Sequence, residues 1–318
     1  MTSKIIHRDY KIGVLFGGTN SEREVSFESG ARVNEALVAL GYKTKLVIYE
    51  GNIPGTIDQL SGMDLTFIAL HGGDGENGTL QAAFERAGIR YSGSRSGPSR
   101  IAMDKIESKK MMTQLLIRNA EWIGLQLEGG TGPVDSSTLP ALLHFIRNNG
   151  YPIVIKPNNE GSTVGISIVK HRDQLEEALL TSREFGKVAL VEKYIPGREL
   201  TITVLDGQPL PIVEIVPSHE FYDYDSKYSE GGSEYFVPAE IDLETTVGIQ
   251  NAAARLFEGL GCRHYARADF RLTDENDYYC LEINTLPGMT SHSLTPMAAA
   301  AIGIDFNGLV DKIAQLAL

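Results

Sequence analysis

The sequence predicts an α/β protein with a mostly parallel sheet in its N-terminal third, because short apolar strands alternate there with amphipathic helices. Strand-like runs occupy 11–16, 43–49 and 64–70, and helical stripes occupy 26–40 and 79–88. Glycine-rich breaks follow the first and the third of these strands. Because ligands gather at the carboxyl ends of parallel strands, these breaks are the first candidate site.

The remaining two thirds of the chain predict helices and strands without the same regular alternation. Helices are predicted at 97–118, 173–183 and 243–260, and strands at 152–156, 165–169, 188–194, 199–205, 209–216, 264–272 and 277–284. The segment 119–134 has little periodicity and is interpreted as a connection, and 217–240 is interpreted as a polar loop. A length of 318 residues leaves room for two or three compact domains.

Composition and charge exclude several classes of protein. The net charge of −12 argues against a large basic surface, so neither nucleic acid nor a membrane is expected as a partner. No apolar run approaches the roughly 20 residues that span a bilayer, and the N-terminus lacks the apolar core of a signal peptide. Cys262 and Cys280 are too few for a disulfide framework, which favours buried thiols in a reduced compartment. We therefore expect a cytoplasmic protein.

Three oxygen-bearing side chains near the C-terminus form a candidate metal site. Glu282 and Asn284 lie two residues apart in a predicted strand, so both side chains leave the same face. Asp269 lies on the preceding strand, and a hairpin would bring it opposite that face. Two carboxylates and a carboxamide are hard ligands that suit Mg²⁺ carrying nucleotide phosphates. An ordinary solvated strand face explains the same pattern about equally well.

Two segments are candidates for nucleotide binding. In "KPNNEGSTVG", Lys156 ends an apolar strand and precedes a loop whose backbone N–H groups could cradle a phosphate. This is not a Walker A sequence, and a plain glycine-rich turn explains it about as well. In "LVEKYIPGRE", Glu192 ends a strand and a Pro-Gly turn leads back toward Glu199, which suits an adenine slot at a hinge. Taken alone, a surface turn is the better explanation of this second segment.

Two further segments carry candidate substrate contacts. The loop "FYDYDSKYSEGGSEYF" interleaves aromatic and charged residues, which is typical of a mobile lid. Lys227 could reach a phosphate there and Tyr228 could close on a partner, although an aromatic surface loop without function fits as well. The N-terminal "FGGTNSEREVS" lacks the G-x-G-x-x-G pattern of dinucleotide sites, and its acidic residues Glu22 and Glu24 would repel a pyrophosphate. An acidic side chain there better suits an amine.

Five motifs, taken together and in order, resemble one family closely. They are "HGGDGENGTLQ", "MDKIESK", "KPNNEGSTVGIS", "FYDYDSKY" and "EINTLPGMTSHSLTPM". With these motifs the chain is similar, over nearly its whole length, to the D-alanine–D-alanine ligases of the ATP-grasp superfamily. The resemblance implies an α+β ATP-grasp fold with a Rossmann-like domain at 1–104, a central subdomain at 105–195 and a C-terminal subdomain at 196–318. ATP would bind between the sheets of the two subdomains.

The resemblance also implies which residues hold the nucleotide and its metal ions. The implied nucleotide-binding set is Lys105, Lys156, Glu192, Lys193, Ile195, Glu199, Lys227 and Asn284. Lys105 and Lys156 would hold the phosphates, and Lys227 would reach the γ-phosphate. The two glutamates of this set would bind adenine and ribose, with Ile195 between them. Asp269, Glu282 and Asn284 would bind two Mg²⁺ ions, for which Mn²⁺ could substitute.

The same resemblance places two amino-acid substrates. Glu22 would take the ammonium group of the first D-alanine, with His71 near its carboxylate. Ser293 and the Leu294 N–H would receive the carboxylate of the second D-alanine at a helix start. We therefore expect the two substrates to lie between the N-terminal and the C-terminal parts of the chain.

The catalytic residues that the resemblance implies are Glu22, Ser162, Tyr228, Arg267, Gly288 and Ser293. Arg267 and the Gly288 N–H would stabilise the tetrahedral oxyanion. Ser162 and Tyr228 would hydrogen-bond together with Glu22 and hold the lid shut. No serine or cysteine nucleophile is expected, because the hydroxyl groups near Ser293 have no neighbouring base.

The implied activity is ATP-dependent ligation of two D-alanines to D-alanyl-D-alanine through an acyl phosphate, for peptidoglycan precursors, by a homodimer. A paralogue with the same mechanism and a different D-amino acid or dipeptide product stays open as an alternative. A regulatory nucleotide-binding module without catalysis is the alternative from another class. Arg267 argues against that module, because binding alone needs no oxyanion donor.

Three positions depart from the family pattern. Family members often carry Ser where Leu286 stands, Asp where Asn77 stands and Ser where Thr163 stands. The change at Thr163 is conservative. Leu286 and Asn77 border the implied substrate regions, so they leave the choice of amino acids open while ATP use is unaffected. Tyr228 favours an amine as the nucleophile, since family members that make depsipeptides tend to lack it.

Overall fold

The computed structural model describes residues 9–127, 139–217 and 232–318. The strands are β1 (Lys11–Gly17), β2 (Lys43–Tyr49), β3 (Leu65–Ile68), β4 (Trp122–Gln126), β5 (Ile153–Pro157), β6 (Ser167–Val169), β7 (Val188–Lys193), β8 (Arg198–Leu205), β9 (Gln208–Pro209), β10 (Val213–Pro217), β11 (Ser233–Phe236), β12 (Tyr265–Leu272) and β13 (Tyr278–Asn284). The helices are α1 (Arg23–Ala39), α2 (Ile53–Leu60), α3 (Gly73–Glu76), α4 (Thr79–Ala87), α5 (Ser96–Met103), α6 (Lys105–Gln114), α7 (Leu139–Asn149), α8 (Leu175–Glu184), α9 (Leu243–Leu260), α10 (Leu294–Ala300) and α11 (Phe306–Ala317). None of these described helices combines the length and the apolar character that a bilayer crossing requires.

The N-terminal sheet is parallel, as the alternation of strands and helices predicts. Its strand order is β2-β1-β3, and β1 is buried except at Lys11 because elements cover both of its faces. Helix α1 packs on β1 and β2, and the C-terminal helix α11 packs on α1 and β3. Both ends of the chain therefore share one hydrophobic core.

The central sheet is antiparallel and has the order β4-β7-β5-β6, with helices α7 and α8 against it. Strand β4 corrects the sequence prediction, since 119–134 was interpreted as a connection and that interpretation is wrong for Trp122–Gln126. The sequence pattern does not indicate this strand, because it is an edge strand that pairs with β7 alone, buries only Leu125 fully and has a glycine at its centre. Its alternation is too weak to detect.

The C-terminal sheet is antiparallel, with the order β11-β10-β8-β12-β13 and β9 paired to β8. The prediction of a polar loop at 217–240 is wrong for Ser233–Phe236, which forms the edge strand β11. The predicted hairpin is confirmed: β12 pairs with β13 so that Asp269 lies opposite Glu282, and Arg267 lies opposite Asn284. On its other side β12 pairs with β8, which places Thr201 beside Asp269. Helix α9 packs on this sheet and has the predicted bounds.

The single helix predicted at 97–118 is two helices, α5 and α6, because the chain breaks at Asp104. Asp104 has an extended backbone, and its side chain accepts a hydrogen bond of 2.9 Å from the Glu107 N–H. An aspartate at this position caps the new helix start. The break changes the direction of the chain. Lys105, in the first turn of α6, therefore lies in the space between the central and the C-terminal sheets.

We expect Gly30→Ala to destabilise the protein, because α1 lies so close to β1 that a Cβ at Gly30 would be 2.5 Å from the Cβ of Phe16. Overpacking of this kind costs about 1–3 kcal/mol, which exceeds the gain of up to about 1 kcal/mol from the better helix former. Urea unfolding measures the difference. The matched control is Gly97→Ala in α5, where no atom lies within 4 Å and stability should stay level or rise. Equal changes in the free energy of unfolding for the two variants would contradict the close approach of α1 to β1.

Candidate active site

Two neighbouring cavities contain the predicted site residues. The first has a volume of about 1030 Å³ and lies between the central and the C-terminal sheets. The second has a volume of about 760 Å³ and lies between the N-terminal loops and the segment that follows β13. Both cavities are lined by Gly161, Arg267, Glu282 and Leu294. The two cavities therefore adjoin at these four residues.

Most of the predicted nucleotide residues line the first cavity. They are Lys105, Lys156, Glu192, Lys193, Ile195 and Glu199, and the metal candidates Asp269 and Glu282 line it as well. Asn284 lines the second cavity instead. Lys227 and Tyr228 lie outside the described residues. The sequence motifs are thus brought to one cleft although they are far apart along the chain.

Glu192 is held between two lysines at the floor of the first cavity. Its Oε1 lies 2.6 Å from Lys156 Nζ, and its Oε2 lies 2.7 Å from Lys109 Nζ. Burial alone would raise the pKa of Glu192, but Lys109 and Lys156 outweigh it and lower that pKa to about 2. Burial likewise opposes the charge on Lys156, yet Glu192 and Glu282 raise the pKa of this lysine. Both groups therefore stay ionised at neutral pH.

Lys105 lines the first cavity as well. Its Nζ is 3.7 Å from Glu282 Oε2 and donates a hydrogen bond to the Glu160 carbonyl oxygen. Burial lowers the pKa of Lys105, and the nearby Glu282 opposes that shift. The start of α6 is fixed to the loop after β5, because the Ile106 N–H donates to Asn158 Oδ1 at 2.9 Å. This loop contains the glycine-rich segment that sequence analysis selected.

The β12–β13 hairpin carries the candidate metal ligands. Arg267 donates to both carboxylate oxygens of Asp269, at 2.9 Å and 2.8 Å, and Thr201 donates to Oδ1 at 2.6 Å. The Asn284 Oδ1 accepts from the Leu286 N–H at 2.9 Å. No group of three or more His, Cys, Asp or Glu side chains in the described part of the chain could hold a metal ion. The fit for Mg²⁺ therefore rests on two carboxylates and one carboxamide, an all-oxygen donor set that suits this ion.

The second cavity contains groups suited to amino-acid substrates. Glu22 accepts a hydrogen bond from the Ser162 hydroxyl, which comes from the loop after β5. Across the cavity, Ser293 lies just before α10, and its Oγ accepts from the Thr290 N–H at 2.9 Å. A Cβ at Gly288 would lie 2.7 Å from Ser293 Oγ, so only glycine fits there without movement. The cavity thus has a carboxylate at one wall and hydroxyl and backbone N–H groups at the other.

His71 is buried beside this cavity, and both of its ring nitrogens have partners. Nδ1 lies 3.1 Å from the Leu286 carbonyl oxygen, which requires a proton on Nδ1. Nε2 lies 2.9 Å from Ser29 Oγ, so the hydroxyl of Ser29 donates to it. The same Oγ accepts from the Met289 N–H at 3.3 Å. Burial lowers the pKa of His71 against the opposing effect of Glu22, so the ring is neutral.

Sequence reasoning missed three residues of this site. Ser29 fixes His71, Lys109 pairs with Glu192, and Glu76 lines the second cavity. Burial and the nearby Glu22 raise the pKa of Glu76 well above its usual value. Glu76 and Lys109 lie inside or next to motifs that sequence analysis quoted. Lys109 follows Lys105 by four residues, and that helical spacing was the available signal.

The two unusual positions have local structural explanations. Leu286 is buried in the N-terminal core, and its Cδ2 would lie 2.7 Å from a Cβ at Gly93. Its side chain therefore packs against Gly93. Its backbone N–H donates to Asn284, and its carbonyl oxygen accepts from His71. Asn77 accepts a hydrogen bond of 2.9 Å from the Thr79 N–H at the start of α4. Both residues thus have structural roles.

Two sheets that face each other across a lysine-bearing cavity define an ATP-grasp protein. Family models described as "D-ala D-ala ligase N-terminus" and "D-ala D-ala ligase C-terminus" match residues 45–94 and 111–315. The D-alanine–D-alanine ligase of Syntrophotalea carbinolica is 43% identical over 303 residues, which cover 95% of this chain and 94% of the relative. The chain belongs to the D-alanine–D-alanine ligase family.

Two solved structures are similar to this fold. A D-alanine–D-alanine ligase from Bacillus anthracis complexed with ATP has a TM-score of 0.83 at 34% identity, covering 97% of both chains. The VanG D-Ala:D-Ser ligase from Enterococcus faecalis has a TM-score of 0.81 at 29% identity, covering 98% of this chain and 100% of that one. The ATP-grasp fold expected from the sequence is confirmed.

We expect Glu192→Gln to destabilise the protein by about 3–5 kcal/mol at pH 7, because two buried lysines lose their partner. The folded pKa of Glu192 is lowered from 4.5 to about 2, so its contribution is full above pH 4.5 and is lost as the pH falls toward 2. The stability gap between wild type and variant should therefore narrow by roughly 1.4 kcal/mol per pH unit below pH 4.5. Urea unfolding between pH 7 and 3 measures it.

The control for this pH series is Glu107→Gln, which removes a carboxylate from the half-exposed pair with Lys110. Its effect on stability should be small at every pH, since exposed ion pairs contribute little. A gap for Glu192→Gln that stays constant from pH 7 to pH 3 would contradict the ionised, lysine-paired state of Glu192.

Proposed function

We propose that this chain joins two D-alanine molecules to D-alanyl-D-alanine, with conversion of ATP to ADP and inorganic phosphate. The main support for the proposal is that the cavity between the two sheets adjoins the second cavity at Arg267 and Glu282. The names of the similar proteins support D-alanine as the amino acid. The dipeptide is a peptidoglycan precursor, so the proposed role is in cell-wall synthesis.

The nucleotide would occupy the first cavity with its phosphates toward the shared boundary. Lys105 and Lys156 line this cavity and would neutralise phosphate charge, while Lys193, Ile195 and Glu199 also line it and would surround adenine and ribose. Phosphoryl transfer needs positioning and charge neutralisation, and these buried cations provide both. The carboxylate of the first D-alanine would attack the γ-phosphorus, and ADP would leave.

Asp269, Glu282 and Asn284 would hold Mg²⁺, with Mn²⁺ as a possible substitute. When bound, the metal would supply further neutralisation of the phosphate oxygens. The chain's own contribution is to place these oxygen donors on one hairpin face beside Lys105. Arg267 also contacts Asp269 and so fixes the orientation of this carboxylate.

The two amino acids would occupy the second cavity. Glu22 would bind the ammonium of the first D-alanine, and Ser293 with the Leu294 N–H would bind the carboxylate of the second. The second amine attacks the acyl carbon, and phosphate leaves after a tetrahedral oxyanion has formed. Arg267 and the Gly288 N–H would stabilise this oxyanion, a contribution of about 3 kcal/mol for each donor.

Both ring nitrogens of His71 already have hydrogen-bond partners. This residue would therefore act indirectly, by holding the Leu286 carbonyl oxygen in place. Lys227 and Tyr228 are proposed as lid residues on the basis of the sequence motif, and they would exclude water from the acyl phosphate. The domain limits 1–104, 105–195 and 196–318 and the homodimer stay predictions. Dependence on ATP makes the cytoplasm the proposed location.

We expect Arg267→Ala to lower dipeptide formation by a factor of about 10²–10³ while ATP still binds, because the variant loses an oxyanion donor. Phosphate release and dipeptide yield measure turnover, and calorimetry measures ATP binding. The control is Arg118→Ala, which removes a half-exposed arginine paired with Asp277. Undiminished turnover of the Arg267 variant would refute the assigned role.

We expect an equimolar mixture of D-alanine and D-serine, with ATP and Mg²⁺, to yield D-alanyl-D-alanine as the main product. The D-alanine–D-alanine ligases of Syntrophotalea carbinolica and Bacillus anthracis are 43% and 34% identical to this chain, and the D-Ala:D-Ser ligase is 29% identical. Mass spectrometry of the products measures the ratio. A mixed dipeptide as the main product would favour the alternative substrate, and ATP binding without phosphate release for any D-amino acid would exclude a ligase.

A further inference from the structure

Lys109 is a buried cation that has no role in the reaction as proposed above. It lies one turn after Lys105 on α6, so both side chains leave the same face of the helix. The Lys109 side chain is 1% exposed, and its Nζ lies 2.7 Å from Glu192 Oε2. Glu192 lines the first cavity, and Lys109 lies enclosed behind it. Any influence of Lys109 on a bound nucleotide must therefore pass through Glu192.

The charges of this cluster decide whether the cavity floor attracts phosphate. Glu192 gives one carboxylate oxygen to Lys109 and the other to Lys156. Two lysines against one carboxylate leave one net positive charge, and Lys156 is the lysine of this cluster that lines the cavity. Without Lys109, Glu192 and Lys156 would cancel each other. This cancellation would act at short range and with little screening, because all three side chains are buried.

We propose that Lys109 is a positioning residue for the nucleotide, which neutralises Glu192 so that the charge of Lys156 remains available to an ATP phosphate. The proposal rests on the ATP-dependent reaction proposed above and adds a residue that touches no substrate. It also explains why the carboxylate of Glu192 has its two oxygens directed to different lysines. With Lys109 removed, both oxygens would be free to turn toward Lys156 and draw it away from the cavity.

Packing alone does not account for a lysine at this position. A buried ammonium group loses its hydration, and an apolar side chain would fill the same space at a lower desolvation cost. Helix α6 uses such a residue one turn away on its core-facing side, where Met112 is fully buried in the C-terminal core. Methionine is therefore the substitution that keeps the packing of Lys109 and removes only its charge.

The test measures the dissociation constant of ATP with Mg²⁺ by calorimetry, in the absence of D-alanine, for four variants of the full chain. Lys109→Met should weaken ATP binding about tenfold, as expected when a buried charge pair loses one partner. Lys110→Met removes the same charge from an exposed position of the same helix and should leave binding unchanged. In steady-state assays Lys109→Met should raise the KM for ATP more than it lowers kcat.

A double-mutant cycle separates the electrostatic role from packing. Glu192→Gln removes the carboxylate that Lys109 neutralises, so adding Lys109→Met to this variant should change ATP binding less than twofold. A further tenfold loss in the double variant would overturn the proposal, as would unchanged ATP binding in Lys109→Met alone. If Lys109→Met fails to fold, Lys109→Gln, which also removes the charge, takes its place in both the single and the double variant. A wild-type chain that binds no ATP would refute the proposed function instead.

Discussion

The register of the β12–β13 hairpin is the constraint on which the whole site depends. It places Arg267 opposite Asn284 and Asp269 opposite Glu282. Arg267 and Glu282 therefore lie at the boundary between the two cavities, with Asp269 in the first cavity and Asn284 in the second. Because side chains alternate along a strand, a slip by one residue would turn all of them to the opposite face. The pairing of β12 with β8 and the hydrogen bond from Thr201 to Asp269 oppose such a slip.

The charges around this hairpin explain why it carries so many ionisable groups at little exposure. The carboxylates at the nucleotide end have a lysine or an arginine beside them, as with the buried Glu192 and the partly exposed Glu282 and Asp269. The desolvation cost of each charge is thereby offset by its partner. The amino-acid end differs, since burial and Glu22 favour the protonated form of Glu76 and His71 is neutral. Glu76 and His71 therefore add no charge at the amino-acid end, where Glu22, Arg267 and Glu282 remain as the charged groups.

Sequence patterns predicted this fold to the extent that local signals exist. The parallel N-terminal sheet, helix α9 and the β12–β13 hairpin follow from periodicity and turn chemistry. The edge strand β4 and the helix break at Asp104 do not follow from local patterns. The strand depends on its pairing with β7, and the break depends on a capping hydrogen bond. Likewise, no local pattern shows that Lys109 and Lys156, which are distant in sequence, meet at Glu192. That contact forms only when the chain folds.

Leu286 shows why a residue inside a functional motif can change without changing the chemistry. Its side chain points into the core against Gly93, and only its N–H and its carbonyl oxygen reach Asn284 and His71. Any side chain that leaves this backbone in place can serve the site equally well. A serine there would be smaller and polar, so leucine favours core packing. The selection between amino acids must then depend on side chains that face the second cavity, among them Glu22 and Ser293.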